Sequence, residues 1–401
     1  MIQLKDICDI YDCPHTTAKD EGKGYPLVRT PNVGKGRLIL NGIHRVSEDV
    51  YNSRNARAIP EEDDLILARE APVGNVSIIM DGQRVCLGQR VVLIKPKREL
   101  VDPHFLTYYL LSAEVQHRLK NHANGAVVAH LNVSDIRNLW VTLPEFEEQV
   151  AIGKILRSID DKIELNRQIN DNLEQQAQAL YRSWFVDFEP FKEGKFIESE
   201  IGEIPAGWSI VKFGDIVEIP KKTINPQKFP DTIFNHYSLP ACDNGLIAEV
   251  QAGKDIMSNK IILQSNTTLF SKLNPRIKRI WFTCEVLPNS ICSTEFIPYR
   301  AKIDTEYSYI FSIVNSDAFY SSVMGCVNGA TGSHQRFHAE DTEDFLCAYN
   351  KDAVNEFSKL IEPILKQMHD LRQENVKLAL TRDTLLPKLM SGELKINEID
   401  C

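Results

Sequence analysis

Ile152 to Trp184 (IGKILRSIDDKIELNRQINDNLEQQAQALYRSW) and Phe357 to Leu389 (FSKLIEPILKQMHDLRQENVKLALTRDTLLPKL) carry one spacing pattern twice, about 205 residues apart. In the first stretch Ile152, Ile155, Ile159, Ile163, Asn166, Asn170, Leu173, Ala177, Leu180 and Trp184 step by threes and fours. In the second, Phe357, Leu360, Ile364, Met368, Leu371, Asn375, Leu378, Arg382, Leu385 and Leu389 repeat those steps in the same order. Threes and fours are the helical period, and a stripe of this kind hides only against another helix, so each copy is the natural partner of the other. Asn170 and Asn375 hold equivalent places on the two stripes, where a polar residue trades stability for a fixed register. The helices are expected from about Glu147 to Trp184 and Asp352 to Leu386, and roughly 38 residues give a rod of about 55 Å. Pro363 predicts a kink in the second helix or marks its true start.

The repeat extends beyond the helices, at an offset near 204. Asp64 to Met80 (DLILAREAPVGNVSIIM) predicts a hairpin around a Pro-Val-Gly turn, and Thr268 to Phe282 (TLFSKLNPRIKRIWF) stands in the same place of the second copy. Leu87 to Lys95 predicts a further strand. Asp102 to Lys120 has helical spacing, with Asp102 as N-cap and Pro103 at the first helical position. Within it, His104 to Leu110 aligns with Ser308 to Val314. Asn124-Gly125-Ala126 matches Asn328-Gly329-Ala330, and His130 matches His334. The chain therefore reads as a mixed α/β (α+β) protein with a pseudo-twofold internal repeat. Its segments are a first domain at 1–145, a long helix and linker at 146–200, a second domain at 201–350, and a second long helix and tail at 351–401.

The composition fits a protein with real cores, 43% of 401 residues being hydrophobic. Met1 to Asp12 lacks a basic region followed by an apolar run, and no apolar stretch approaches the roughly 20 residues of a membrane span. Nine cysteines, an odd number without a CxxC pair, fit free thiols in a reducing compartment, so a cytoplasmic location is expected. The net charge of −9 seats its acidity mainly in the first long helix and linker, where 7 cations face 12 carboxylates. Nucleic-acid phosphates respond to local cations, so the sum does not exclude DNA binding.

No catalytic constellation is legible. The nearest approach to an Asn/Asp-Pro-Pro-aromatic motif is Asn274-Pro275-Arg276, and GxxxxGK[ST] and a Gly-rich cofactor loop are absent. His334 and His338, with Cys347 beyond, lack a fourth ligand at a usual spacing and read as polar loop residues, not a metal site. Asp160 and Asp161 point about 100° apart on a helix and read as a solvated face. The aromatic cluster Trp184, Phe185, Phe188 and Phe191 reads as domain core rather than a docking patch.

Cations, amides and glycines on loops mark DNA contacts, because Arg pairs with guanine, Asn with adenine, and lysines anchor phosphates. The candidates in the first domain are Arg29, Asn32, Lys35, Arg37, Arg54, Arg57 and Arg69. Those in the second are Lys221, Lys222, Lys272, Arg276, Lys278, Arg279, His334, Gln335 and Arg336.

Asn166 to Phe191 (NRQINDNLEQQAQALYRSWFVDFEPF) resembles the central region of the specificity (S) subunits of type I restriction-modification systems, and Leu385 to Leu394 (LLPKLMSGEL) resembles their C-terminal region. Leu65 to Ile79, Leu87 to Lys97 and Leu269 to Arg279 are similar to strands of that family's target recognition domains. The resemblance implies two tandem target recognition domains, each reading one half of a bipartite double-stranded DNA site. It also implies a pair of long antiparallel coiled-coil helices that set the spacer and dock two modification (methyltransferase) subunits, with restriction (endonuclease/translocase) subunits joining them. S-adenosylmethionine and ATP would bind those partners and no cofactor this chain, which would be a non-catalytic subunit. The alternative drawn from the residues is a structural adaptor that joins protein partners through the helical pair and never touches DNA.

Overall fold

The computed structural model describes residues 1–122, 130–327 and 335–396; Asn124-Gly125-Ala126, Asn328-Gly329-Ala330 and His334 lie outside the described residues. The two long helices run Phe146–Phe185 and Lys351–Met390, forty residues each, which at 1.5 Å per residue is about 60 Å. The second passes through Pro363 without interruption. Pro363 lies on an exposed face, where the carbonyl that its missing N–H leaves unbonded can turn to water. The helix begins where Asn350 Oδ1 accepts from the backbone N–H groups of Asp352 and Ala353, at 3.1 and 3.0 Å.

The chain divides into two compact units, Met1–Ile163 with Leu378–Cys401, and Glu164–Lys377. In the first unit a five-stranded sheet has the order Cys8–Asp12, Val91–Pro96, Leu65–Ala68, Val76–Ile78, Gly36–Arg37. Leu65 pairs antiparallel with both Ile94 and Ile78, so the expected hairpin is present, its strands buried along their length. A three-stranded sheet places Tyr25–Val28 between Arg45–Val46, antiparallel, and Cys86–Leu87, parallel.

The second unit repeats this plan. Its four-stranded sheet runs Val217–Glu218, Phe296–Ala301, Thr267–Ser271, Ile280–Thr283, the order of the first four strands above. In its five-stranded sheet Ile233–Tyr237 lies between antiparallel Glu249–Ala252 and parallel Ser290–Ser293. The helical segment is divided alike in both units. Where a single helix is expected from Asp102 to Lys120, Pro103–Leu111 stops at Ser112 and Ala113–His122 follows. In the second unit Tyr307–Asn315 stops at Ser316 and Asp317–Gly325 follows. Both serines are extended at ψ near 150°, and each turns its hydroxyl back to the carbonyl three residues earlier. This local bond competes with the helical ladder and ends the helix. Asp102 caps as expected, accepting from Phe105 N–H at 2.7 Å.

Within each unit the long helices run antiparallel. In the first, Asp160 meets Arg382, and Ile152 and Leu156 share a core with Leu389. In the second, Asn166 Nδ2 donates to Asn375 Oδ1 at 2.9 Å, while Tyr181 and Phe185 pack on Phe357. The buried stripe differs in part from the expected one. Leu156, Asp160, Tyr181 and Phe185 are buried, whereas Ile155, Ile159 and Ile163 are half-buried and Leu360 is 47% exposed. Phe185 and Phe188 are core residues around Trp208, Tyr309 and Phe357, and Trp184 packs on Phe191 and Phe357. No helix among the described residues is long and apolar enough to cross a membrane.

Candidate nucleic-acid interface

In the first unit the segment from Arg29 to Ile39 folds on itself, with Val33 bridging Leu38 and Gly34-Lys35-Gly36-Arg37 forming the bend. The glycines are dictated by space. A Cβ on Gly34 would lie 2.4 Å from the Arg37 carbonyl oxygen, and Gly36 takes φ +90° with Asp160 Oδ2 3.2 Å from where its Cβ would be. Lys35 is left exposed between them. Asn32 is buried as a strut, accepting from Arg29 N–H and donating to the Ile39 carbonyl, which corrects its expectation as a base reader. Arg29 is half-buried beside it. Arg37 is paired with Asp161 of the first long helix, so it is an anchor as this unit stands.

Two further candidates are structural. Arg54 is buried and donates to the carbonyls of Leu87, Thr16 and Pro14. Arg69 is also buried, donating from Nε to the Leu131 carbonyl, from Nη1 to Asp12 at 2.8 Å and from Nη2 to His130 Nε2 at 2.7 Å. His130 then donates from Nδ1 to Glu70 Oε1 at 2.9 Å. Buried guanidinium groups need their donors satisfied, and these two have carbonyl, hydroxyl, carboxylate and imidazole partners within the unit. Arg57 is exposed just past the helix Glu48–Arg54.

The second unit gathers six of its nine candidates at one end of the hairpin. The connection from Lys272 to Arg279 joins its strands, and Leu273 bridges Arg336 while Asn274 N–H donates to the Gln335 carbonyl. Lys272, Arg276, Lys278, Arg279, Gln335 and Arg336 thus belong to one loop cluster. The turn of the first hairpin meets Leu131 in the corresponding way, Leu131 N–H donating to the Arg69 carbonyl.

Several members of this cluster are already engaged. Arg279 grips Asp243 with two bonds of 2.6 and 2.9 Å, and that contact, the largest influence on it, raises its pKa. Arg336 pairs with Glu295, and Lys278 donates to the Asn315 carbonyl over the Tyr320 ring, with burial lowering its pKa. Gln335 Oε1 is buried without a partner among the described residues. Lys221 and Lys222 are exposed on the loop before Thr223–Ile224. Among the described residues Lys35, Arg57, Lys221, Lys222 and Arg276 are exposed and have no side-chain hydrogen bond or ion pair.

The expected solvated face at Asp160 and Asp161 is a correction. Asp160 is 7% exposed, accepting from Tyr108 Oη at 2.6 Å and Arg382 Nη1 at 2.7 Å, while Asp161 holds Arg37 and, at 3.4 Å, Arg157. Arg157 also donates to His104 Nε2 at 2.6 Å; burial and then that guanidinium lower the His104 pKa. Burial, followed by the Asp160 charge, pushes the Tyr108 phenol far above its ordinary value. The one sequence signal for this network was Arg382, the single charged residue on a stripe whose other polar member is Asn375. Lys19 and Lys23 are further cations exposed on a loop of the first unit. His338 lies at the start of a short turn whose Asp341 accepts its N–H, and Cys347 is buried in the core. Among the described residues no group of three or more His, Cys, Asp or Glu could hold a metal ion.

A family model described as the type I restriction modification DNA specificity domain matches residues 1–175. The type I restriction enzyme HindI specificity subunit of Haemophilus influenzae is 32% identical, the match covering 84% of this chain and 88% of that protein. The MjaIX specificity subunit of Methanocaldococcus jannaschii is 24% identical over 99% of this chain and 94% of its own length. Among solved structures, the S subunit of a type I restriction-modification system from M. genitalium has a similar fold, with a TM-score of 0.56 at 15% identity, covering 97% of this chain and 95% of that one. Two units of one strand order, two matched long helices, and a relative 32% identical over nearly its whole length lead to one conclusion: the chain belongs to the family of type I restriction enzyme specificity subunits.

Proposed function

We propose that each unit reads one half of a bipartite double-stranded DNA site and that the helical pair sets the number of base pairs between the halves. The observation that carries this reading is the repeat of one strand order in both units, each with exposed loop cations that have no partner among the described residues. Two readers of one ancestry in one chain suit a split site better than a continuous one. Exposed lysines anchor phosphates and set register, while arginine and amide side chains discriminate bases. Lys35, Arg57, Lys221, Lys222 and Arg276 are the phosphate-anchoring candidates, with Arg29 and Gln335 nearest to base readers.

In this proposal the chain carries no chemistry of its own. Two modification subunits dock on it and supply adenine methylation from S-adenosylmethionine, restriction subunits supply ATP-driven cleavage, and the assembly works in the cytoplasm. The family membership of the chain supports this division of labour.

The test is single-molecule sequencing of DNA from cells expressing this chain with the modification subunit encoded beside it. A split motif methylated on adenines of both strands is the expected result. A stable complex that leaves no new methylation would overturn the specificity role and favour a protein adaptor.

A further inference from the structure

The Asp160-Asp161 pair joins four pieces of the first unit. Asp160 accepts from Tyr108 on the helix Pro103–Leu111 and from Arg382 on the second long helix, and it lies against Gly36 in the bend that carries Lys35. Asp161, one residue on, pairs with Arg37 at the end of that bend and with Arg157 one turn earlier on its own helix. Adjacent helix positions diverge by about 100°, and here the divergence lets one carboxylate hold the domain body and the other hold the loop.

The second unit lacks this arrangement at the matching positions of the repeat. Tyr108, Asp160, Asp161 and Arg382 correspond to Ser312, Leu365, Lys366 and Ala177. Ser312 is buried and bonded to its own helix, Leu365 and Ala177 are buried in an apolar core, and Lys366 is exposed. At these matching positions the duplicated fold thus joins its helices by charge in one unit and by apolar packing in the other.

We propose that Asp160 and Asp161 are positioning residues for DNA recognition by the first unit, locking the Arg29–Ile39 loop to the helix pair so that Lys35 and Arg29 meet DNA in a fixed register. The inference rests on the DNA-reading role proposed above. Its physical basis is that charge-assisted bonds hold a geometry more tightly than neutral ones, and that Gly36 leaves no side chain between the loop backbone and Asp160. The second unit, without such a pair, is indifferent to the same carboxylates.

The experiment uses the full chain in complex with its modification subunit. Binding is measured by fluorescence anisotropy on three duplexes: the intact methylated motif, one with the first half scrambled, and one with the second half scrambled. Asp161→Asn is expected to lower discrimination at one half-site about ten-fold, which corresponds to about 1.4 kcal/mol, and to leave the other half-site unchanged. Asp161→Glu, which keeps the carboxylate, is expected to recover most of the loss. Tyr108→Phe, a milder change, is expected to weaken the same half-site about three-fold. Equal loss at both half-sites, or none, in a complex whose wild type does discriminate overturns the latch alone. A wild-type complex without preference for any duplex sinks the DNA-reading role and the latch together.

Discussion

Arg382 and Asp160 stand 222 positions apart in sequence and are joined by a 2.7 Å charge-assisted hydrogen bond between the two long helices. The carboxylate side chain is 9% exposed and the guanidinium 22%, and Tyr108 Oη occupies the other carboxylate oxygen. At the corresponding positions of the second unit stand Leu365 and Ala177, both in the apolar core. The same step of the same repeat has therefore been solved by two kinds of chemistry.

Removing one partner of such a pair costs more than replacing it whole, because the survivor is a buried charge without its counter-ion. Arg382→Ala is expected to lower stability by about 3 kcal/mol. The triple variant Asp160→Leu, Arg382→Ala, Tyr108→Phe, which imports the apolar solution, should recover more than half of that loss in guanidinium titrations of the full chain. A triple variant no more stable than Arg382→Ala would show that the loss does not come from stranding the Asp160 carboxylate.

The aromatic cluster of the second unit predicts a large, local cost. Phe357 is fully buried and touches Tyr181, Trp184 and Phe185 with ring centroids 6.3, 6.0 and 5.1 Å away. Phe357→Ala should destabilise by about 3–5 kcal/mol, and hydrogen exchange should locate the lost protection in both long helices of that unit. Unchanged protection there would contradict the packing described.

Asn170 is buried with its Oδ1 unpartnered among the described residues, next in the helix pair to Asn166, which donates to Asn375 and Glu374. An unsatisfied buried amide costs about 1–3 kcal/mol. Asn170→Leu should therefore raise the denaturation midpoint, and the gain should come with a looser helix register, seen as extra cross-linked species when cysteines are placed along the pair. A lower midpoint would mean that the amide has a partner in solution.

Acid should weaken the fold through its buried and half-buried histidines. Burial is the first cause that lowers the pKa of His104, His236 and His369 below the ordinary value near 6.5. A histidine depressed in the folded state binds protons more readily when unfolded, so stability is complete above the unfolded value and falls as pH drops below about 6.5. Melting temperature should decline between about pH 6.5 and 5, and His104→Gln, which keeps an acceptor for Arg157, should flatten part of that slope. A slope unaltered by His104→Gln would exclude this residue as a contributor.

The exposed cations give a prediction of a different form. Lys222→Ala and Arg276→Ala should each weaken binding to all duplexes alike and reduce the slope of log affinity against log salt by about one. A sequence-dependent loss at Arg276 would instead assign it to base readout.

Much of the architecture was legible because it is local. The stepping of Ile152 to Trp184 and of Phe357 to Leu389 announces two long helices, the two apolar runs around Pro72-Val73-Gly74 announce a hairpin, and Asp102-Pro103 announces a helix start. These signals need only a residue and its near neighbours. They give the period of a helix but not its phase against its surroundings. Within each unit a long helix is covered both by the other helix and by its domain, so Leu156, Asp160 and Tyr181 are buried at the expense of Ile155, Ile159 and Leu360.

The sequence by itself determined the duplicated mixed fold, the helical pair and the family. Which cations remain for a ligand was decided only by the tertiary structure. Arg37, Arg54, Arg69 and Arg279 are cations in the same domains as Lys35, Arg57 and Arg276, yet the folded chain brings carbonyls and carboxylates from 33 to 124 positions distant in sequence to the first four alone. A guanidinium is committed or available according to what the fold lays beside it, and that neighbour is not written in the local sequence.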